Sequence, residues 1–170
     1  MLMTILKYGA PSLREISQPV EKFDEDLEKL AADMFETMYA APGIGLAAPQ
    51  VGVNIRLIVI DIRDGDESAG RKLILCNPRI TASEGTQEGD EGCLSVPDFM
   101  EHVKRPMKVA IEAQNIKGEP FELTGEGMLA RAICHEIDHL DGVMFVDRVS
   151  PLKRALMRGK IRKLTKAGKW

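Results

Sequence analysis

The chain has 170 residues, 44% of them apolar and 29% charged. That balance suits one globular domain over residues 1–170, with a core that needs no disulfide staple. No run nears the roughly 18 apolar residues of a membrane span, so the sequence gives no reason to expect a membrane partner. The net charge is -3, but residues 151–170 hold eight Lys and Arg and no acid, leaving -11 on the first 150.

The start, MLMTILKYGAPSLRE, lacks the basic, apolar and small-residue pattern of a signal peptide, so a cytoplasmic protein is expected. Three cysteines, Cys76, Cys93 and Cys134, then read as reduced thiols. Asp24 can cap a helix running to about Tyr39, with Leu27, Leu30, Ala31, Met34, Phe35 and Met38 on its buried face. The uncharged segment APGIGLAAPQVG, residues 41–52, holds too much Pro and Gly for a helix or strand and should lie against core or ligand. Ile55 to Ile60 reads as a buried strand. Lys72 to Cys76 reads as another, ended by Asn77-Pro78, with residues 64–70 as the hairpin connection. Residues 84–98 form an acidic, Gly-rich loop containing Cys93. Lys108 to Gln114 alternates as a strand and turns into a short strand at Phe121 to Leu123. Thr124 can cap a helix through Leu140, stopped near Gly142, and Ser150-Pro151 starts a last, basic helix over 151–170. Adjacent, turn-linked strands mixed with helices predict an α+β fold, with antiparallel or mixed sheets around the helix at 124–140.

That helix carries His135-Glu136-Ile137-Asp138-His139. Residues four apart on a helix differ by about 40° in direction, so both imidazoles can face one metal ion. Glu136 sits about 100° from His135, beside the metal, where it can take a proton from bound water. The apolar Met128, Leu129, Ala132 and Ile133 predict that the helix is buried. A hydrolytic metal needs a third protein ligand and an open position. A zinc peptidase is the alternative reading, but Phe145 stands where one protease class places a third His, and no Glu follows Glu136. The upstream candidates are three. His102 lies in the polar stretch Glu101–Arg105 and reads as a surface residue; Cys134 points about 100° away from His135. Cys93, with Gly92 beside it, is a soft donor and the preferred ligand. Cys76, ending an apolar strand, reads as core.

GIGLAAPQ (43–50), EGCLS (91–95) and HEIDH (135–139) together resemble, in order and spacing, the three motifs of the peptide deformylase family. The start ILKYGAPSLRE and the segment DGVMFVDRVSPLKR extend the resemblance over nearly the whole chain, closest to the bacterial type 1 branch. The resemblance implies hydrolysis of the N-formyl group from formyl-methionine on new polypeptides, releasing formate. It implies Cys93, His135 and His139 as ligands of one divalent ion, ferrous iron most often, with zinc, nickel or cobalt able to replace it. It gives Glu136 the role of general base and then acid for attack by metal-bound hydroxide. The Gln50 amide and the Leu94 backbone N–H become donors to the oxyanion. Substrate contacts fall to Ile44, Gly45 and Gly92, and the walls of the methionine pocket to Ile44, Met128, Ala132 and His135. Two positions depart from the family pattern. Cys134 stands where many members have Gln, and Met100 where some have Arg, although Arg105 fits. The basic tail reads either as a solvated helix face with Leu152, Leu156 and Ile161 packed inward, or as a contact for ribosomal RNA, which the family's C-terminal helix is thought to make. Deleting 151–170 is then expected to weaken ribosome binding and spare small-peptide kinetics.

Overall fold

The computed structural model describes residues 1–62 and 71–170. The hairpin connection expected at 64–70 lies outside the described residues. Helix α1 spans Glu25–Ala40; Asp24 caps it by accepting from the Leu27 N–H at 3.1 Å, and Glu25, Asp26 and Glu28 complement the helix dipole. The strands are β1 (Gly45–Ala47), β2 (Leu57–Ile62), β3 (Arg71–Glu84), β4 (Gln87–Cys93), β5 (Val96–Arg105), β6 (Lys108–Gln114) and β7 (Pro120–Glu126). Helices α2 (Met128–Leu140) and α3 (Pro151–Lys166) follow. One antiparallel sheet runs β1-β2-β3-β6-β7, and β4 pairs with β5 in a separate hairpin. The architecture is α+β, as the mixture of turn-linked strands predicts.

The unbroken apolar run of β2 follows from burial on both faces. Side chains alternate across a strand. Leu57 and Val59 join Met34, Phe35 and Met38 of α1 in one cluster. Ile58 and Ile60 join Ala130, Ile133 and Ile137 of α2 in another. The sheet therefore lies between α1 and α2, with α2 held rigidly by its apolar contacts. A third cluster, including Val96, Val103, Phe145, Met157 and Ile161, ties the β4–β5 hairpin to α3. Among the described residues, no helix is long and apolar enough to cross a membrane.

Five expectations are corrected. Residues 41–52 are not free of regular structure, because Gly45–Ala47 pairs with β2 as strand β1 and Ala48–Val51 winds into a 3-10 turn. Strand β3 does not end at Asn77-Pro78. It pairs with β2 up to Cys76, shifts register, and continues against β6 from Arg79. The shift is a bulge, where Pro78 is not needed as a ladder donor, and Asn77 at φ 50° exchanges two hydrogen bonds with the Val20 backbone. Thr124 does not cap α2. It pairs with Ala110 inside β7, and the helix begins only after Gly127 turns the chain at φ 59°. Residues 84–98 are not a loop, because β4 and β5 pair along their length and turn at Leu94-Ser95. Within β5, His102 and Lys104 are exposed, but Val103 and Arg105 point inward, so Glu101–Arg105 is a two-faced strand and not a solvated stretch. The end of α2 is where the sequence places it. Gly142 sits at φ 74°, and a Cβ there would come 2.5 Å from the Arg14 carbonyl oxygen, which only glycine tolerates.

Candidate metal centre

Helix α2 presents His135 and His139 from successive turns, 7% and 1% exposed, with their Nε2 atoms 3.2 Å apart. The β4–β5 turn brings Cys93 to them, its Sγ 3.3 Å from His139 Nε2. These three donor atoms lie within 4.8 Å of one another. A carboxylate fixes the orientation of His135: Glu91 lies 2.7 Å from Nδ1 and keeps the proton there, so Nε2 is the nitrogen that would serve as metal donor once it gives up its own proton. Burial opposes a proton on either imidazole. Contacts with Cys93 and Glu91 nonetheless hold His135 well above its usual range. Burial and the neighbouring His135 push His139 well below it. One thiol and two imidazoles converging this closely fit a divalent transition metal. Phe145, at the position of a protease's third His, instead stacks on the His135 ring at 6.4 Å between centroids.

Glu136 is 4% exposed, with Oε1 3.9 Å from His135 Nε2 and Oε2 buried without a hydrogen-bond partner among the described residues. Burial, partly offset by the His135 charge, pushes its carboxyl up to about 7. Such a group can both take and return a proton near neutrality. Gly45 makes room for it, since a Cβ there would fall 2.9 Å from Glu136 Oε1. Gln50 sits in the 3-10 turn Ala48–Val51 and is fixed at both ends of its amide. Its Oε1 accepts from the Ala47 N–H at 2.9 Å, and its Nε2 donates to Ser95 Oγ at 3.0 Å and reaches Cys93 Sγ at 3.6 Å.

Cys93, His135, Glu136, Gly45 and Gln50 open onto a cavity of about 670 Å³, whose lining also includes Ile44, Gly92, Leu94, Met128 and Ala132. Every sequence-derived site residue except His139 lines it; His139 lies just behind, against Cys93 and His135. Met128, which the apolar pattern places on a buried face, is 52% exposed. As the first residue of α2 it stands at the cavity mouth, beside the 43% exposed Ile44. Cys134 is buried in the core cluster, turned from the donors as the helix angle requires, and Cys76 is fully buried. His102 is half-exposed on the outer face of β5, near Glu88 and Asp90.

Motif reading missed the buried charges behind His135. Glu91 accepts from Arg105 at 3.0 and 2.6 Å and from Arg131 at 3.1 Å. Asp138 accepts from Arg105 at 2.7 Å and from Arg148 at 2.9 Å. Burial raises the Glu91 carboxyl, but the contacts with His135 and then Arg105 outweigh it and hold the group far below the usual carboxylate range. Two signals were present in the sequence. Glu91 and Cys93 are two apart on one strand, and Arg131 is four before His135 on one helix.

A family model described as polypeptide deformylase matches residues 2–155. A peptide deformylase of Acidobacterium capsulatum is 52% identical over 170 residues, covering 100% of this chain and 99% of its own. One from Acinetobacter baumannii is 50% identical, covering 97% of this chain and 93% of its own. The crystal structure of a peptide deformylase from Legionella pneumophila superposes with a TM-score of 0.90 at 49% identity, covering 99% of this chain and 98% of that one.

Proposed function

The chain belongs to the polypeptide deformylase family, and from that membership we propose that Cys93, His135 and His139 hold its metal while Glu136 moves the proton. The family reaction is metal-dependent hydrolysis of the N-formyl group of nascent polypeptides. The donor set accepts several metals; iron(II) is the proposed native one, with zinc, nickel or cobalt as substitutes. A metal bound there would acidify a water molecule and polarise the formyl oxygen.

This chain's own groups carry the rest of the proposal. Glu136 takes a proton from the attacking water, whose oxygen bonds to the formyl carbon. The Gln50 Nε2 and the Leu94 N–H donate to the oxygen that gains negative charge. Glu136 then hands its proton to the amine nitrogen as the C–N bond breaks, leaving formate and a free amino terminus. The backbone of Ile44, Gly45 and Gly92 borders the bound chain, and Ile44, Met128, Ala132 and His135 surround its first side chain. The observation that carries this reading is the buried Glu136 carboxylate, one oxygen of which has no partner among the described residues, facing the cavity that Cys93 and His135 line with His139 directly behind them. Its setting would be the cytoplasm, where formylated chains leave the ribosome, and the cationic α3 would contact ribosomal RNA.

The test is to load anaerobically purified protein with iron and supply formyl-Met-Ala and unformylated Met-Ala-Ser. Formate from the first and no cleavage of the second is expected. Internal cleavage of the second without formate would favour a peptidase and overturn the assignment.

A further inference from the structure

Arg131 lines the cavity, is 7% exposed, and has no part in the chemistry above. It stands four residues before His135 on α2, so both side chains leave the same helix face. They meet on one carboxylate. Arg131 Nη1 donates to Glu91 Oε1 at 3.1 Å, and His135 Nδ1 lies 2.7 Å from Glu91 Oε2. The same Nη1 donates to the Val103 carbonyl at 3.1 Å, joining α2 to β5. The guanidinium lies against β4 at a glycine; a Cβ on Gly89 would come 3.2 Å from Nη2.

Arg105 grips Glu91 through two nitrogens, which fixes the plane of the carboxylate. Arg105 and Glu91 both belong to the hairpin, and Arg105 reaches α2 through Asp138, at 2.7 Å, so its tie to the helix does not land on Glu91. Arg131 supplies a bond from α2 to the Glu91 carboxylate itself. Arg131 comes from the helix that carries His135. It closes a triangle, Arg131–Glu91–His135, whose two cationic or N–H corners share one rigid element.

We propose that Arg131 is a positioning residue for the metal centre, registering Glu91 against α2 so that the His135 ring holds its Nε2 toward Cys93 and His139. The inference rests on the ligand set proposed above. Carboxylates that orient a metal-bound His typically change metal affinity or activity 10- to 100-fold when lost, roughly the range expected here.

The test uses full-length protein loaded with cobalt(II), as wild type, R131M and R131K. In R131M, cobalt should pass to a chelator about tenfold faster, the visible spectrum of the bound cobalt should change, and kcat for formyl-Met-Ala should fall about tenfold with KM little moved. R131K keeps a cation near Glu91 but loses the planar guanidinium whose Nη1 bridges Glu91 and Val103, so its values should lie between. A folded R131M with the wild-type release rate and spectrum overturns the proposal. If R131M does not fold, R131Q is read by the same criteria. Wild type that takes up no cobalt would instead overturn the ligand set, and this inference with it.

Discussion

Glu136 is identical in sequence context to any acid after a helical His, yet its surroundings separate it from the other acids of α2. Asp138, two residues on, is spent on Arg105 and Arg148. Glu136 faces the cavity with one oxygen that has no hydrogen-bond partner among the described residues. Replacing it with the isosteric Gln removes the proton acceptor and leaves the donor triad untouched. E136Q is therefore expected to bind metal at wild-type stoichiometry and lose at least ~10²-fold in kcat. Metal analysis beside a formate assay checks both halves; full activity would end its assignment as the base. The neighbouring positions were legible in the same motif, because four-residue spacing on a helix is enough to bring His135 and His139 together.

Between elements, the 3-10 turn Phe145–Asp147 fastens the N-terminal segment beneath α2. Asp147 accepts from Arg14 at 2.5 Å and from the Met144 N–H at 2.9 Å. Burial raises its carboxyl, but the Arg14 and Met144 bonds and the nearby Arg charges outweigh that and hold it below its usual range. A folded-state value below the unfolded one contributes stability that is complete above about pH 4 and lost as pH falls through the folded value. D147N should cost about 1 kcal/mol at pH 7, and the deficit should shrink below about pH 4. Urea unfolding of both proteins at pH 7 and pH 3.5 reads this out. A deficit independent of pH would show that the charge is not what matters there.

For the whole molecule, α3 is both a structural element and the main concentration of positive charge. Met157 and Ile161 are buried in the hairpin cluster, whereas Leu152 and Leu156, expected to pack inward, are 70% and 58% exposed. Arg154 donates to the carbonyls of Val146 and Asp147, and the Trp170 indole to that of Tyr8. Deleting 151–170 would therefore disturb packing as well as charge. Reversing the exposed Lys160, Arg162 and Lys163 to Glu isolates the electrostatic part. The triple variant is expected to lose ribosome affinity at low salt and to flatten its salt dependence, with kcat/KM on formyl-Met-Ala unchanged. Unaltered ribosome binding would leave α3 as packing alone.

Local chemistry determined much of this protein from the sequence alone. The spacing of HEIDH, the capping of α1 by Asp24 and of α3 by Ser150, the doubly apolar β2 and the α+β class all depend on residues near one another in the chain. Those are short-range effects that periodicity can carry. Only the tertiary structure decided what depends on long-range pairing. Strand β7 took Thr124 from the helix because β6 was available to pair with it. Strand β3 continued past Pro78 because a change of partner there made room for a bulge. The acidic segment 84–98 became the hairpin that carries Cys93 because β4 and β5 could pair and pack on α3. The clamp of Glu91 by Arg105 and Arg131 joins residues 14 and 40 positions apart. No local pattern encodes such a meeting, since buried charges are stable only where the fold supplies their partners.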